Sequence, residues 1–171
     1  MNDYPNLKLH LDKFKVYITS DNRPYGLHRA RNQYFFEGKK IFSLRKCEEP
    51  SFTYVDVPAY VTAEYYSIKS DRIDLLYLVG ILNSNVIKYW LKLKGKMQGN
   101  HYQIDAEPLK NIPICYNMEY REKLKELVIK RNNNNDKDEN DFLEKMINQI
   151  VYKIYDLDEN NIKIIENEIE N

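Results

Sequence analysis

Cysteine, histidine and long apolar runs are scarce in this 171-residue sequence, and each shortage excludes a class of protein. Its two cysteines, Cys47 and Cys115, lie far apart without a C-x-x-C partner, so they mark neither a disulfide framework nor a zinc site. The only histidines are His10, His28 and His101, with no carboxylate at ligand spacing, which argues against a metal site. No apolar run approaches the roughly 18 residues that a membrane helix needs, and no leader segment stands at the N-terminus. The expectation is a soluble, cytoplasmic protein of a reducing compartment with no membrane partner. Net charge is also lacking, with 26 basic and 26 acidic residues, but the balance is uneven along the chain. Residues 1–116 hold 17 Lys and Arg against 12 Asp and Glu, and residues 117–171 hold 9 against 14. A basic body with an acidic tail points toward nucleic-acid contact.

What is present is organised around Asp71 to His101, which the spacing predicts to be one long helix emptying into a basic loop. Ile73, Leu75, Leu76, Leu78, Val79, Ile81, Leu82, Val86, Ile87, Tyr89, Trp90 and Leu93 recur at helical steps. Ser70 or Asp71 can cap the start. Asn83, Ser84, Asn85 and Lys88 interrupt the stretch too often for a bilayer, so it reads as a core helix. After Trp90, Lys92, Lys94 and Lys96 alternate with Leu93, Gly95 and Met97, and Gln98 to Gln103 follow without an acid. Lysines there suit phosphate, whereas Gln98, Asn100, His101 and Gln103 can reach base edges. The alternative is an ordinary surface loop with Gly95 and Gly99 as turn residues.

The remaining pattern predicts an α+β fold: a small mixed sheet packed on the long core helix, followed by a C-terminal helical tail. Leu7, Leu11, Phe14 and Ile18 predict a first helix after Pro5. Gln33 to Phe36, Lys40 to Leu44, Thr53 to Val57 and Tyr60 to Ile68 read as strands separated by Gly38, Pro50 and Pro58. Tyr102 to Asp105 is a candidate return strand. From Met118 onward the composition is helical, with an asparagine run at 132–135 read, together with Asp136 and Lys137, as a solvated linker. The expected boundary separates a recognition domain, residues 1–116, from a helical extension, residues 117–171.

A second basic stretch, Arg23 to Lys46, carries seven basic residues against the single acid Glu37. If extended, it places Arg29 and Arg31 on one side, and the planar guanidinium fork suits phosphate or guanine. Arg29, Arg31, Lys39, Lys40 and Arg45 are the expected backbone contacts; Lys94, Lys96, Gln98, Asn100, His101 and Gln103 form the expected loop site. The competing reading pairs a solvated basic surface with the acidic tail. Asn22-Arg23-Pro24-Tyr25 resembles the Asn-Pro-Pro-Tyr motif with which adenine-N6 methyltransferases hold a flipped base. Its second position is Arg, and no glycine-rich turn for S-adenosylmethionine precedes it, so it reads as a turn.

Taken in order, several segments resemble the TaqI-like C-terminal specificity domain of type IIG restriction-modification enzymes and related adenine-N6 DNA methyltransferases. Tyr4 to Leu7 with His10, Leu11 and Phe14 is similar to the family's opening helix. Leu27-His28-Arg29-Ala30-Arg31 and Phe36 to Ile41 resemble its basic segment and K-I strand. Ile81-Leu82-Asn83-Ser84 resembles its LNS helix, Gln103 through Ile114 its closing I-P-I strand, and Ile150 to Leu157 its V-Y-x-L-Y-x-L tail. The family's usual Y-G-L reads Tyr155-Asp156-Leu157 here. The resemblance implies a module that is non-catalytic by itself and recognises double-stranded DNA. It further implies a methyltransferase domain N-terminal in a parent protein or a catalytic subunit in trans, with S-adenosylmethionine bound there and no cofactor in this chain. Two rivals remain: a docking module that works through the acidic tail and long helix, and a methyltransferase remnant that uses Asn22 and Tyr25.

Overall fold

The computed structural model describes residues 2–18 and 32–170. The chain divides into two units, residues 1–33 and 34–171. In the first unit, the single helix expected from Leu7 to Ile18 is two: α1 (Pro5–Asp12) and α2 (Lys15–Ile18). The break is a tightened turn, in which the N–H groups of Phe14 and Tyr17 bond carbonyls three residues back, at Leu11 and Phe14. Neither helix has a buried residue.

The second unit is α+β, with its strands in two antiparallel three-stranded sheets rather than one mixed sheet. Gln33–Phe35, expected as a strand, is a single 3-10 turn. The first sheet centres on β1 (Lys40–Leu44), which is followed by β2 (Lys46–Cys47) in the other sheet. β1 pairs with β3 (Phe52–Val55) on one side and β4 (Tyr65–Ile68) on the other. Ile41 sits opposite Tyr54 and Ile68 and is fully buried. Only the end of the expected Tyr60 to Ile68 strand pairs. Its start belongs to a loop, where the Ala59 N–H bonds Phe36 and Tyr60 stacks on the Phe36 ring.

The long helix exists, but it is broken into α3 (Leu75–Leu82) and α4 (Asn85–Lys94). Asn83 causes the break: its amide oxygen accepts from the Phe52 N–H and its amide nitrogen donates to the Phe52 carbonyl, both at 2.8 Å. The buried Ser84 caps back onto Ile81 at 2.7 Å. Asp74, not Ser70 or Asp71, caps α3 by accepting from the N–H groups of Leu76 and Tyr77. Beyond α4 come β5 (Lys96–Gln98), β6 (His101–Gln103) and the short α5 (Ala106–Lys110).

The helical tail comprises α6 (Arg121–Asn133), α7 (Lys137–Ile154) and α8 (Glu159–Glu170). It shares its core with the rest of the unit: Leu124, Leu127, Val128, Leu143, Ile147, Ile150 and Val151 pack with α3, Ile87 and Leu91. Gly80 makes the close approach possible, because a Cβ there would lie 2.8 Å from Leu124 Cγ and 3.0 Å from Val128 Cγ2. Half of the asparagine run is helical rather than linker, since Asn132 and Asn133 finish α6. The expected I-P-I strand is not a strand. Its backbone is held by side chains: the Tyr77 hydroxyl donates to the Cys115 carbonyl at 3.0 Å and the Tyr155 hydroxyl to the Pro113 carbonyl at 2.6 Å. No helix among the described residues is long and apolar enough to cross a membrane.

Candidate nucleic-acid interface

The second sheet, in the order β2-β6-β5, assembles the site. β5 and β6 form a hairpin in which Gln98 faces His101, leaving Gly99 and Asn100 as a two-residue turn. Gly99 adopts φ +60°, the left-handed value that such a turn asks of its first central residue. Entry from α4 is equally tight, because a Cβ on Gly95 would meet the Leu91 carbonyl oxygen at 2.5 Å. β2 adds to the other edge of β6, with Lys46 opposite Gln103 and Cys47 opposite Tyr102. The Ile104 N–H extends the ladder to the Arg45 carbonyl at 2.8 Å.

Successive strand residues point to opposite faces, so this register sorts the side chains. Cys47, Tyr102 and Met97 share the inner face; Cys47 is buried, Tyr102 packs on the core, and burial pushes both the Cys47 thiol and the Tyr102 hydroxyl up from their ordinary pKa. Lys46, Lys96, Gln98, His101 and Gln103 share the outer face. Two basic stretches distant in sequence therefore meet in one sheet.

On that face Asp105 is a hub. Its carboxylate lies 3.0 Å from Lys96 Nζ and accepts from Gln103 Nε2 at 3.1 Å. The Lys96 hydrogen bond, followed by that from Gln103, holds its pKa below the usual carboxylate value, although desolvation opposes this. Gln103 Oε1 in turn accepts from Gln98 Nε2. His101 Nε2 stands 3.8 Å from a Glu48 oxygen. Lys94 lies in the last turn of α4, exposed, and among the described residues it and Lys46 form no ion pair. Of the C-terminal carboxylates, Glu168 takes Lys92 at 3.4 Å.

The other expected contacts divide: Arg45 is close enough to Asp105 to favour its charged form, and the lysines at the start of β1 lie elsewhere. Lys40 is corrected: it is fully buried, and its ammonium donates to the Gly38 and Val57 carbonyls, so it cannot reach a phosphate. Desolvation, aided by Lys69, lowers its pKa. Lys39 is exposed before β1, and Arg45 is exposed beyond its other end, with its guanidinium 5.3 Å from the Tyr66 ring centre. Six strand-like steps of about 3.3 Å put the two roughly 20 Å apart. Arg29 and Arg31 lie outside the described residues, as do Asn22 and Tyr25 of the near-miss motif. Asp105 is not among the expected site residues, and Lys46, the end of the second basic stretch, is not among the expected contacts. The alternation of Lys96 and Gln98 was the available sign of a strand.

A cavity of about 400 Å³ opens between β3, α3 and α7, bordered by Asn83, Lys88, Arg131, Glu144 and Asn148. Its charges are paired internally, Lys88 with Glu49 and Arg131 with Glu144. No cluster of His, Cys, Asp and Glu suited to a metal occurs among the described residues. The family model of the TaqI-like C-terminal specificity domain matches residues 8–114, well over half of the chain. The chain belongs to that family. As a specificity domain it is a DNA-recognition module of restriction-modification enzymes, the non-catalytic part. The family match ends before α6, so the three C-terminal helices lie beyond it. No curated protein matches the chain.

Proposed function

We propose that the outer face of the β2-β6-β5 sheet grips double-stranded DNA in a sequence-specific manner for a catalytic domain outside this chain. That partner is an adenine-N6 methyltransferase domain of type IIG-like organisation, in cis or as a subunit in trans, with S-adenosylmethionine bound in it and with or without a fused endonuclease. The observation that carries the reading is the register, which puts Lys46, Lys96, Gln98, His101 and Gln103 on one side of a three-stranded sheet, the β5-β6 hairpin with β2 alongside it. A β-ribbon fits the B-DNA major groove, where amides meet base edges while flanking lysines meet phosphates. Separating recognition from chemistry suits base flipping, because extruding a base costs a few kcal/mol that duplex contacts help offset.

Titration of a short duplex with the full chain at several salt concentrations tests this. The logarithm of the affinity should fall linearly with that of salt, and Lys46→Ala and Lys94→Ala should each reduce the slope by about one. Unchanged slopes in both variants, or no binding at low salt by micromolar protein, would overturn the reading. A docking role has support from a different region: Leu9, Val16 and Tyr17 of the N-terminal helices are 69, 89 and 86% exposed. Replacing all three with polar residues should then weaken association with the catalytic domain without changing the salt slope.

A further inference from the structure

Among the four candidate base readers, the hydrogen bonds single one out. We infer that Gln98 is a specificity-determining residue for an adenine in the major groove, with its amide polarity set by Asp105 acting through Gln103. This rests on the proposed DNA interface.

A carboxylate only accepts hydrogen bonds, so the group that Gln103 turns toward Asp105 must be its NH₂. The Gln103 oxygen is thereby turned toward Gln98, which has to answer with its own NH₂. Lys96 bonds the other Asp105 oxygen, which holds the carboxylate in place and favours its charged form. The relay commits both ends of the Gln103 amide but only one N–H of Gln98. The Gln98 oxygen and second N–H remain adjacent on an exposed side chain at the hairpin tip, with no other partner among the described residues. An acceptor beside a donor in one amide plane is the complement of adenine N6 and N7. Because the relay fixes the rotamer before binding, less conformational freedom is lost on contact. Asn100 at the turn has no such support, and His101 is turned toward Glu48. Asp105 and Gln103 are positioning residues; Gln98 is the one that touches the base.

The test selects binding sites from a random-sequence duplex library with the full chain and with Gln98→Glu, Asp105→Asn and Lys96→Ala, each first checked for an unchanged thermal unfolding midpoint. The wild type should enrich an adenine at one position by roughly 5- to 150-fold over other bases, as expected for one bidentate pair. Gln98→Glu, now acceptor-only, should move that position toward cytosine and leave the others unchanged. Asp105→Asn, able to donate as well as accept, should blunt the preference at the same position. Lys96→Ala should weaken binding across all sequences. If Gln98→Glu retains every wild-type preference, the inference fails while the interface stands. If the wild type enriches nothing and binds without salt dependence, both fail. If Asp105→Asn retains the adenine preference in full, the relay is overturned.

Discussion

In the first sheet, the lysine of β1 is sealed against two backbone carbonyls; in the second, the lysines of β2 and β5 stand on an open face among amides. Both sheets are antiparallel and three-stranded, and β1 and β2 are separated only by Arg45. The difference lies in what covers each. Next to the first sheet, the Tyr34 to Glu37 segment is tied down by Lys69, which donates to the Tyr34 and Glu37 carbonyls at 2.8 Å, and by the Ser67 hydroxyl of β4, which donates to the Phe35 carbonyl at 2.7 Å. The second sheet packs the face that carries Cys47 and Tyr102 on the core, and its other face carries Lys46, Lys96 and Gln98 exposed. A strand lysine is thus assigned by the carbonyls within its reach, and its charge alone does not reveal which side it serves.

Charge reversal breaks this comparison most directly. Lys40→Glu should cost about 3–5 kcal/mol in urea unfolding, because a buried carboxylate would face two carbonyl oxygens. Lys46→Glu should change stability by no more than about 0.5 kcal/mol while weakening DNA binding; equal stability of the two variants would erase the distinction. Substitutions in the helices behind the first sheet should separate stability from recognition. Gly80→Ala should destabilise by about 1–3 kcal/mol through overpacking against Leu124, despite better helix propensity, and leave DNA affinity of the folded protein unchanged.

Asp74→Ala should cost about 1 kcal/mol for the lost cap. Desolvation raises the Asp74 pKa, but the Lys125 hydrogen bond and the backbone N–H groups of Tyr77 and Leu76 outweigh it and hold the value down. A depressed carboxylate contributes stability above its unfolded pKa and loses it as pH falls through the folded one. Acid titration of unfolding should therefore be shallower in the variant, and parallel curves would remove Asp74 as a cause. The smallest effect is a gain. Asp156 sits at φ +51° in a Schellman turn, where the Leu157 N–H bonds Tyr152 and the Asp156 N–H bonds Lys153. Asp156→Gly should raise stability by about 0.5–1 kcal/mol in thermal unfolding, without altering DNA binding.

That glycine preference was visible as a departure from the family's Y-G-L, although its reason needed the φ angle. β1 was legible to the residue, since its β-branched and aromatic residues lie between Gly38 and the following charged segment. The burial of Lys40 was not, because one of its acceptors, Val57, lies 17 residues away. The helix break was written in Asn83 and Ser84, but the meaning of Asn83 depended on Phe52, 31 residues earlier. Local propensity likewise cannot announce that β2 adds to the hairpin, so the stretch at 92–103 read as a loop when it holds the end of α4 and two of the sheet's three strands. Its cations and amides were recognisable by type. Which of them share a face is a property of pairing register.

The bond between Asn83 and Phe52 has one more consequence. β3 is a border strand, and an unpaired border invites a foreign strand to attach and start aggregation. At Phe52 a side-chain amide already occupies the place that such an intruder would need. The residue that divides the helix also discourages the sheet from growing beyond its own molecule.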